Sequence, residues 1–124
     1  MSVPADEHSR LRGRTILIAE SCPLIALDLS ATISAWGAQP VMHHELGHEQ
    51  RQEAFADFSA ALVDVDLCVD EHAKLVDALR QRGVPTVLTT AWHKEVIRDK
   101  FPGLAVFEKP VDFAELAQWF AEHG

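Results

Sequence analysis

The sequence predicts an α/β fold: one doubly wound sheet of five parallel strands, ordered 2-1-3-4-5, with helices on both faces. Three observations carry that expectation. Short apolar runs alternate with helical patterns along the whole chain. None of the runs alternates with a period of two, and unbroken apolar strands suit a sheet covered on both faces, which is mostly parallel. The crossovers between runs are about 14–20 residues long, enough for a helix joining parallel neighbours by a right-handed path.

The elements follow in order. "TILIA" at 15–19 is the first strand. Ile25, Leu29, Ile33 and Trp36 form one helical stripe, ended by Gly37 as a C-terminal cap. "QPVM" at 39–42 is a weaker strand, placed near an edge by its proline. A weaker helix is expected over 44–57, then a strand in "AALVDV" at 60–65. Leu75, Val76 and Leu79 form a second stripe, with Arg80 and Arg82 in the last turn and Gly83 after it. "VPTVL" at 84–88 is the fourth strand, and a second weaker helix is expected over 92–100. "LAVF" at 104–107 is the fifth strand. The last helix is the clearest: Asp112 and Glu115 make a D-x-x-E capping box, and Phe113, Leu116, Ala117 and Phe120 make one apolar face.

Composition bounds the function. With 124 residues the chain is expected to hold one domain over 14–124, preceded by a flexible polar arm at 1–13. The hydrophobic share is 48% and the charged share 24%, ordinary for a globular protein. A net charge of −8 argues against non-specific binding to nucleic acid or to an anionic membrane. No apolar run approaches the roughly 20 residues that span a bilayer, and the N-terminus lacks an apolar signal core. Cys22 and Cys68 are too few for a disulfide framework, so a cytoplasmic protein is expected. Both would lie in neighbouring loops, where two small apolar side chains are favoured over a redox cross-link.

In such a sheet, ligands bind at the carboxyl ends of the strands, beside the switch point between strands 1 and 3. There the sequence places chemistry. Strand 1 ends in Glu20, then Ser21. Strand 3 ends in Asp64, with Asp66 in the loop. Strand 4 ends in Thr89 and Thr90, then Ala91. Strand 5 ends in Glu108, Lys109 and Pro110. Two carboxylates, a hydroxyl and an ammonium would share one edge.

These residues carry a resemblance. "ILIAESCPLIALDL", "AALVDVDL", "PTVLTTAW" and "FEKPVDFAEL" resemble the response-regulator receiver domain of two-component signalling, from about Arg14 to the C-terminus. The start "LIALDL" is similar to single-domain, alphaproteobacterial receivers, and the chemotaxis-regulator type shares the flavodoxin-like fold.

The resemblance implies that Asp64 accepts a phosphoryl group from a histidine kinase or phosphotransfer protein. Lys109 would pair with the phosphoryl oxygens and Thr90 would hydrogen-bond one of them. A magnesium ion would be held by Glu20, Asp64 and Asp66, the last by backbone or side chain. Phosphoryl transfer needs mainly alignment and charge neutralisation, which these residue types supply. Output would pass through protein contacts on a face presenting Lys94, Glu95, Arg98, Gln118 and Glu122, from a monomer or weak homodimer. The domain would not be an enzyme beyond its own phosphorylation and dephosphorylation.

The pattern breaks in three places. Ser21 stands where the family carries a second acid, which weakens the expected magnesium site. Val106 stands three before Lys109, where an aromatic often swings on activation, with Phe107 its neighbour and Trp92 an alternative reporter. The loop after Asp64, "VDLCVDEHAK", lacks the usual Pro-Gly turn. Two readings therefore stand side by side: a working receiver with a degenerate metal site, and a pseudo-receiver, a protein-interaction module that is not phosphorylated.

A third reading comes from His44-Glu45-Leu46-Gly47-His48, an H-E-x-x-H that on a helix would hold zinc for hydrolysis. Its context is polar, Gly47 weakens the helix, and Arg51 and Ala54 break the extended motif. The third ligand could come from Asp70 or Glu71. A casual zinc or nickel site at His44 and His48, with His43, is the milder version.

Overall fold

In the computed structural model, residues 11–46, 57–65 and 70–123 are described, the side chains of 70 and 71 excepted. The apolar runs become strands β1 (Thr15–Ala19), β2 (Gln39–Met42), β3 (Ala60–Asp64), β4 (Thr86–Thr90) and β5 (Ala105–Glu108). All pair in parallel, in the order β2-β1-β3-β4-β5. The fold class and strand order are those expected. Pro40 lies on the edge strand β2, where a missing backbone donor costs least.

β4 begins two residues later than its apolar run. Val84 closes the preceding helix through its N–H to the Leu79 carbonyl, 3.0 Å, and the Thr86 hydroxyl turns back to the Val84 carbonyl at 2.9 Å. The strand then runs on through Thr89 and Thr90, both buried, which hydropathy alone reads as polar.

Four helices are described: α1 (Pro23–Ala35), α2 (Asp70–Gln81), α3 (Lys94–Lys100) and α4 (Phe113–His123). α1 starts on Pro23, whose fixed φ suits a first turn, and stops before Gly37, which sits at φ +94°. Its stripe is rotated from the expected one: Ala26, Leu29 and Ile33 are buried, whereas Ile25 is exposed at the margin. The short Ala26 lets the helix approach the sheet, which turns the bulkier Ile25 aside. At α4, Asp112 Oδ1 accepts from the N–H groups of Ala114 (2.9 Å) and Glu115 (3.3 Å), which is the aspartate half of the expected capping box.

The sheet separates two core layers. On one face Leu17, Val63, Leu88 and Val106 pack with Val76 and Leu79 of α2 and Ile97 of α3. On the other, Ile18, Leu62 and Val87 pack with Leu29 and Ile33 of α1 and Leu116 and Phe120 of α4. Leu11 belongs to this second layer at 1% exposure, and its N–H reaches the Trp36 carbonyl. The packed chain therefore includes Leu11, inside the segment 1–13 expected as an arm; residues 1–10 lie outside the described residues.

The helix expected over 44–57 is replaced, where described, by a single 3₁₀ turn at His43–Glu45. Leu46 follows in extended conformation (φ −81°, ψ 132°). Leu46 thus ends the turn, and the described part of the H-E-x-x-H segment is not an α-helix. His48 itself lies outside the described residues, as do Asp66 and Cys68.

Candidate functional site

Strand alternation sets the site. Side chains on a strand point to opposite faces in turn, and register partners in a parallel sheet point the same way. Glu20 follows β1 and Asp64 ends β3, both toward the α1/α4 face. Lys109 follows β5, and its N–H bonds the Thr90 carbonyl of β4 at 2.8 Å, which ties the β5 end to the β4 end. The peptide from Lys109 to Pro110 is cis.

From there the Lys109 ammonium reaches both carboxylates. It lies 2.7 Å from Glu20 Oε1 and 2.9 Å from Asp64 Oδ1. The Glu20 side chain is fully buried, whereas those of Asp64 and Lys109 keep 10% and 19% exposure. Asp64 is thus the carboxylate that an incoming group can reach. The Ser21 hydroxyl makes a long hydrogen bond to Asp64 Oδ2, 3.4 Å, and the Ser21 N–H bonds Glu20 Oε2 at 3.1 Å.

Two acids sharing one ammonium are under strain. Burial pushes the Glu20 carboxyl up to about 7, helped by the neighbouring Asp64 and opposed by Lys109. At Lys109, burial acts to lower the ammonium's pKa, but the hydrogen bonds and charges of Glu20 and Asp64 outweigh it, and the net shift is upward. The ammonium is firmly charged, and Glu20 is the carboxyl that takes up a proton.

Thr90 is fully buried at the end of β4, and its Oγ1 accepts the Trp92 N–H at 3.0 Å. The register pairs Asp64 with Thr89, and Thr90 with Glu108. Thr90 therefore sits one step beyond Asp64 along the edge. Trp92 is exposed, Val106 is buried in the α2/α3 layer, and Phe107 packs on the opposite face.

Sequence reasoning gave no role to two residues here. His72, in the first turn of α2, places Nδ1 against the Asp64 carbonyl oxygen. With Glu20, Ser21, His43 and His44 it lines a cleft of about 380 Å³ beside the acids. Its place eight residues after Asp64 fits no strand or helix period that would have marked it. The other is Thr89, whose buried hydroxyl has no hydrogen-bond partner.

Glu20, Asp64 and the Ser21 hydroxyl are all oxygen donors, the type magnesium takes. They fit that ion in kind, with two carboxylate charges rather than three. Among the described residues, no group of three or more His, Cys, Asp or Glu side chains is arranged to hold a metal. His43 is buried and His44 exposed, on one 3₁₀ turn, and Cys22 is a free, half-buried thiol.

No family model and no curated sequence matches the chain. Solved structures do. A sensor protein from Polaromonas sp. JS666 is 26% identical, with a TM-score of 0.73 over 90% of this chain and 95% of that one. SdrG from Pseudomonas melonis Fr1, in a BeF3-activated conformation, is 29% identical, with a TM-score of 0.67 over 86% of this chain and 92% of that one. The receiver domain of the sensor histidine kinase PA1611 from Pseudomonas aeruginosa PAO1, with a magnesium ion in its active-site cleft, is 20% identical, with a TM-score of 0.66 over 90% and 97%. The structural neighbours include response-regulator receiver domains, and the five-stranded sheet of this chain has their fold.

Proposed function

We propose, from the receiver fold shared with these neighbours, that the chain is a response-regulator receiver that accepts a phosphoryl group on Asp64 from a histidine kinase or phosphotransfer protein. The observation that carries this reading is the Lys109 ammonium 2.9 Å from Asp64 Oδ1, with Glu20 on its other side. In the transfer, an Asp64 carboxylate oxygen attacks the donor phosphorus, the donor's N–P bond breaks, and the released imidazole takes up a proton. Lys109 then exchanges part of its contact with Asp64 for the new phosphoryl oxygens, and the Thr90 hydroxyl, which accepts the Trp92 N–H, donates its own hydrogen to one of them.

Magnesium held by Glu20, Asp64 and Asp66 would neutralise phosphoryl charge, weakly because Ser21 brings no carboxylate. Among the described residues, no helix is long and apolar enough to cross a membrane; we place the protein in the cytoplasm, signalling through protein contacts as a monomer or weak homodimer. It is a signalling module rather than an enzyme.

Incubation with a phosphoryl donor, with and without magnesium, followed by peptide mapping, tests the reading: the added mass belongs on Asp64. The pseudo-receiver reading has one observation in its favour, Ser21 beside Asp64 in place of a charge, and it predicts no added mass with the fold intact.

A further inference from the structure

Glu108 ends β5 and Lys109 follows it, and the two side chains serve different neighbours. Lys109 reaches the acids. Glu108, exposed, turns to α3: its Oε1 accepts the Lys94 N–H at 2.8 Å. Lys94 is the first residue of α3, and His93 before it gives no side-chain cap. Glu108 therefore supplies, from another strand, the acceptor that a helix start usually finds in its own N-cap. The three residues that lead into α3, Ala91, Trp92 and His93, are all exposed. Packing does little to hold them, and hydrogen bonds secure the segment at both ends. At one end the Trp92 N–H donates to Thr90 Oγ1 at 3.0 Å. At the other stands the Glu108 bond. The Lys109 N–H donates to the Thr90 carbonyl at 2.8 Å, and the register sets Thr90 beside Glu108. A closed ring results, from Thr90 through Lys94 and Glu108 to Lys109 and back to Thr90.

We propose that Glu108 is a positioning residue for phosphoryl binding at Asp64: by holding Lys94 it fixes the 91–93 segment and thereby orients the Thr90 hydroxyl. The inference rests on the function proposed above, in which Thr90 and Lys109 contact the phosphoryl oxygens. A hydroxyl has one hydrogen to donate. With the Trp92 N–H fixed on Thr90 Oγ1, that hydrogen is left for another acceptor. Loss of the Glu108 carboxylate frees the far end of the segment. The Trp92 N–H then wanders, and the Thr90 hydroxyl loses its fixed direction. Phosphoryl binding weakens although Asp64 and Lys109 are untouched, because orientation must then be imposed at the moment of binding.

The test uses the full chain, amide exchange with solvent, and beryllofluoride with magnesium as the probe for a phosphoryl group. In the free protein, Glu108→Ala should speed exchange of the Trp92 amide about three- to tenfold, the worth of one hydrogen bond. Glu108→Gln keeps an acceptor oxygen and should restore the wild-type rate. Beryllofluoride should bind Glu108→Ala weaker by about the same factor, and Glu108→Gln should recover the affinity. On a Thr90→Ala background, Glu108→Ala should cost no further affinity, a non-additivity that a merely stabilising surface contact would not produce. Should Thr90→Ala not fold, the comparison of alanine with glutamine at position 108 still decides. Unchanged Trp92 exchange in Glu108→Ala, unchanged beryllofluoride affinity there, equal losses in the two variants, or additive losses with Thr90→Ala each overturns the role of Glu108 alone. A folded wild type that binds no beryllofluoride overturns the receiver reading, and this role with it.

Discussion

Asp64 and Lys109 stand at the ends of two strands, β3 and β5, that β4 separates, yet their charged groups meet at 2.9 Å. The contact exists because the Lys109 backbone is tied to the Thr90 carbonyl and its stem crosses β4 along the carboxyl edge. An acid at Glu20 then completes the pair from β1.

Removal of that ammonium is the sharpest perturbation. Lys109→Met leaves Glu20 and Asp64 facing each other in a largely buried place. We expect phosphoryl acceptance to fall by about a hundredfold, the usual scale for losing one charge-stabilising donor. Stability should fall by about 1–3 kcal/mol, less than for a fully buried pair because Lys109 keeps some exposure. Urea denaturation and a phosphorylation time course measure the two effects.

The pH dependence of stability should carry the signature of Glu20. Its folded-state pKa is raised from 4.5 to about 7, so the folded protein binds more protons than the unfolded chain between those values. That contribution is fully present below about pH 4.5 and is lost as pH rises through about 7. Glu20→Gln cannot titrate. In metal-free urea denaturation from pH 5 to pH 8, the wild type should lose stability relative to Glu20→Gln. A constant difference across that range would contradict the assignment.

Much of this fold was legible from residues alone. "TILIA" and "AALVDV" are unbroken apolar runs because both faces of β1 and β3 are covered, and strands 1, 2, 3 and 5 fell within a residue of their runs. What hydropathy could not register is where a polar residue is buried by its neighbours. Thr89 and Thr90 extend β4 because adjacent strands and helices cover them. Ile25 and Ala26 exchange roles because close approach of α1 to the sheet favours the smaller side chain. In the site, Glu20, Asp64 and Lys109 could be picked out because they end apolar strands. His72 could not, since no strand or helix period links it to Asp64.

Ser21 tests the metal site. Ser21→Asp adds the missing carboxylate within reach of Asp64, whose Oδ2 the serine hydroxyl already contacts. We expect magnesium affinity to rise about tenfold or more. Without metal the same variant should be less stable than the wild type, because three acids then share one ammonium. Titration calorimetry with magnesium, beside metal-free melts, reads both. Unchanged affinity would remove Glu20 and Asp64 from the role of ligands.

The H-E-x-x-H letters make their own prediction. With Leu46 extended directly after the His43–Glu45 turn, the described part of the segment is not the helix that the zinc motif needs. Untagged protein dialysed free of loose metal should hold no stoichiometric zinc by elemental analysis. One tightly held zinc per chain would reopen hydrolysis as a function.

The most direct measurement is the intact mass of the wild type and of Asp64→Asn after exposure to a small phosphoryl donor with magnesium. The wild type should gain one phosphoryl group that hydroxylamine removes, as expected of an acyl phosphate, and the variant should gain none. A folded wild type that gains nothing, or a variant that gains the same mass, would contradict the assignment of Asp64 as the acceptor.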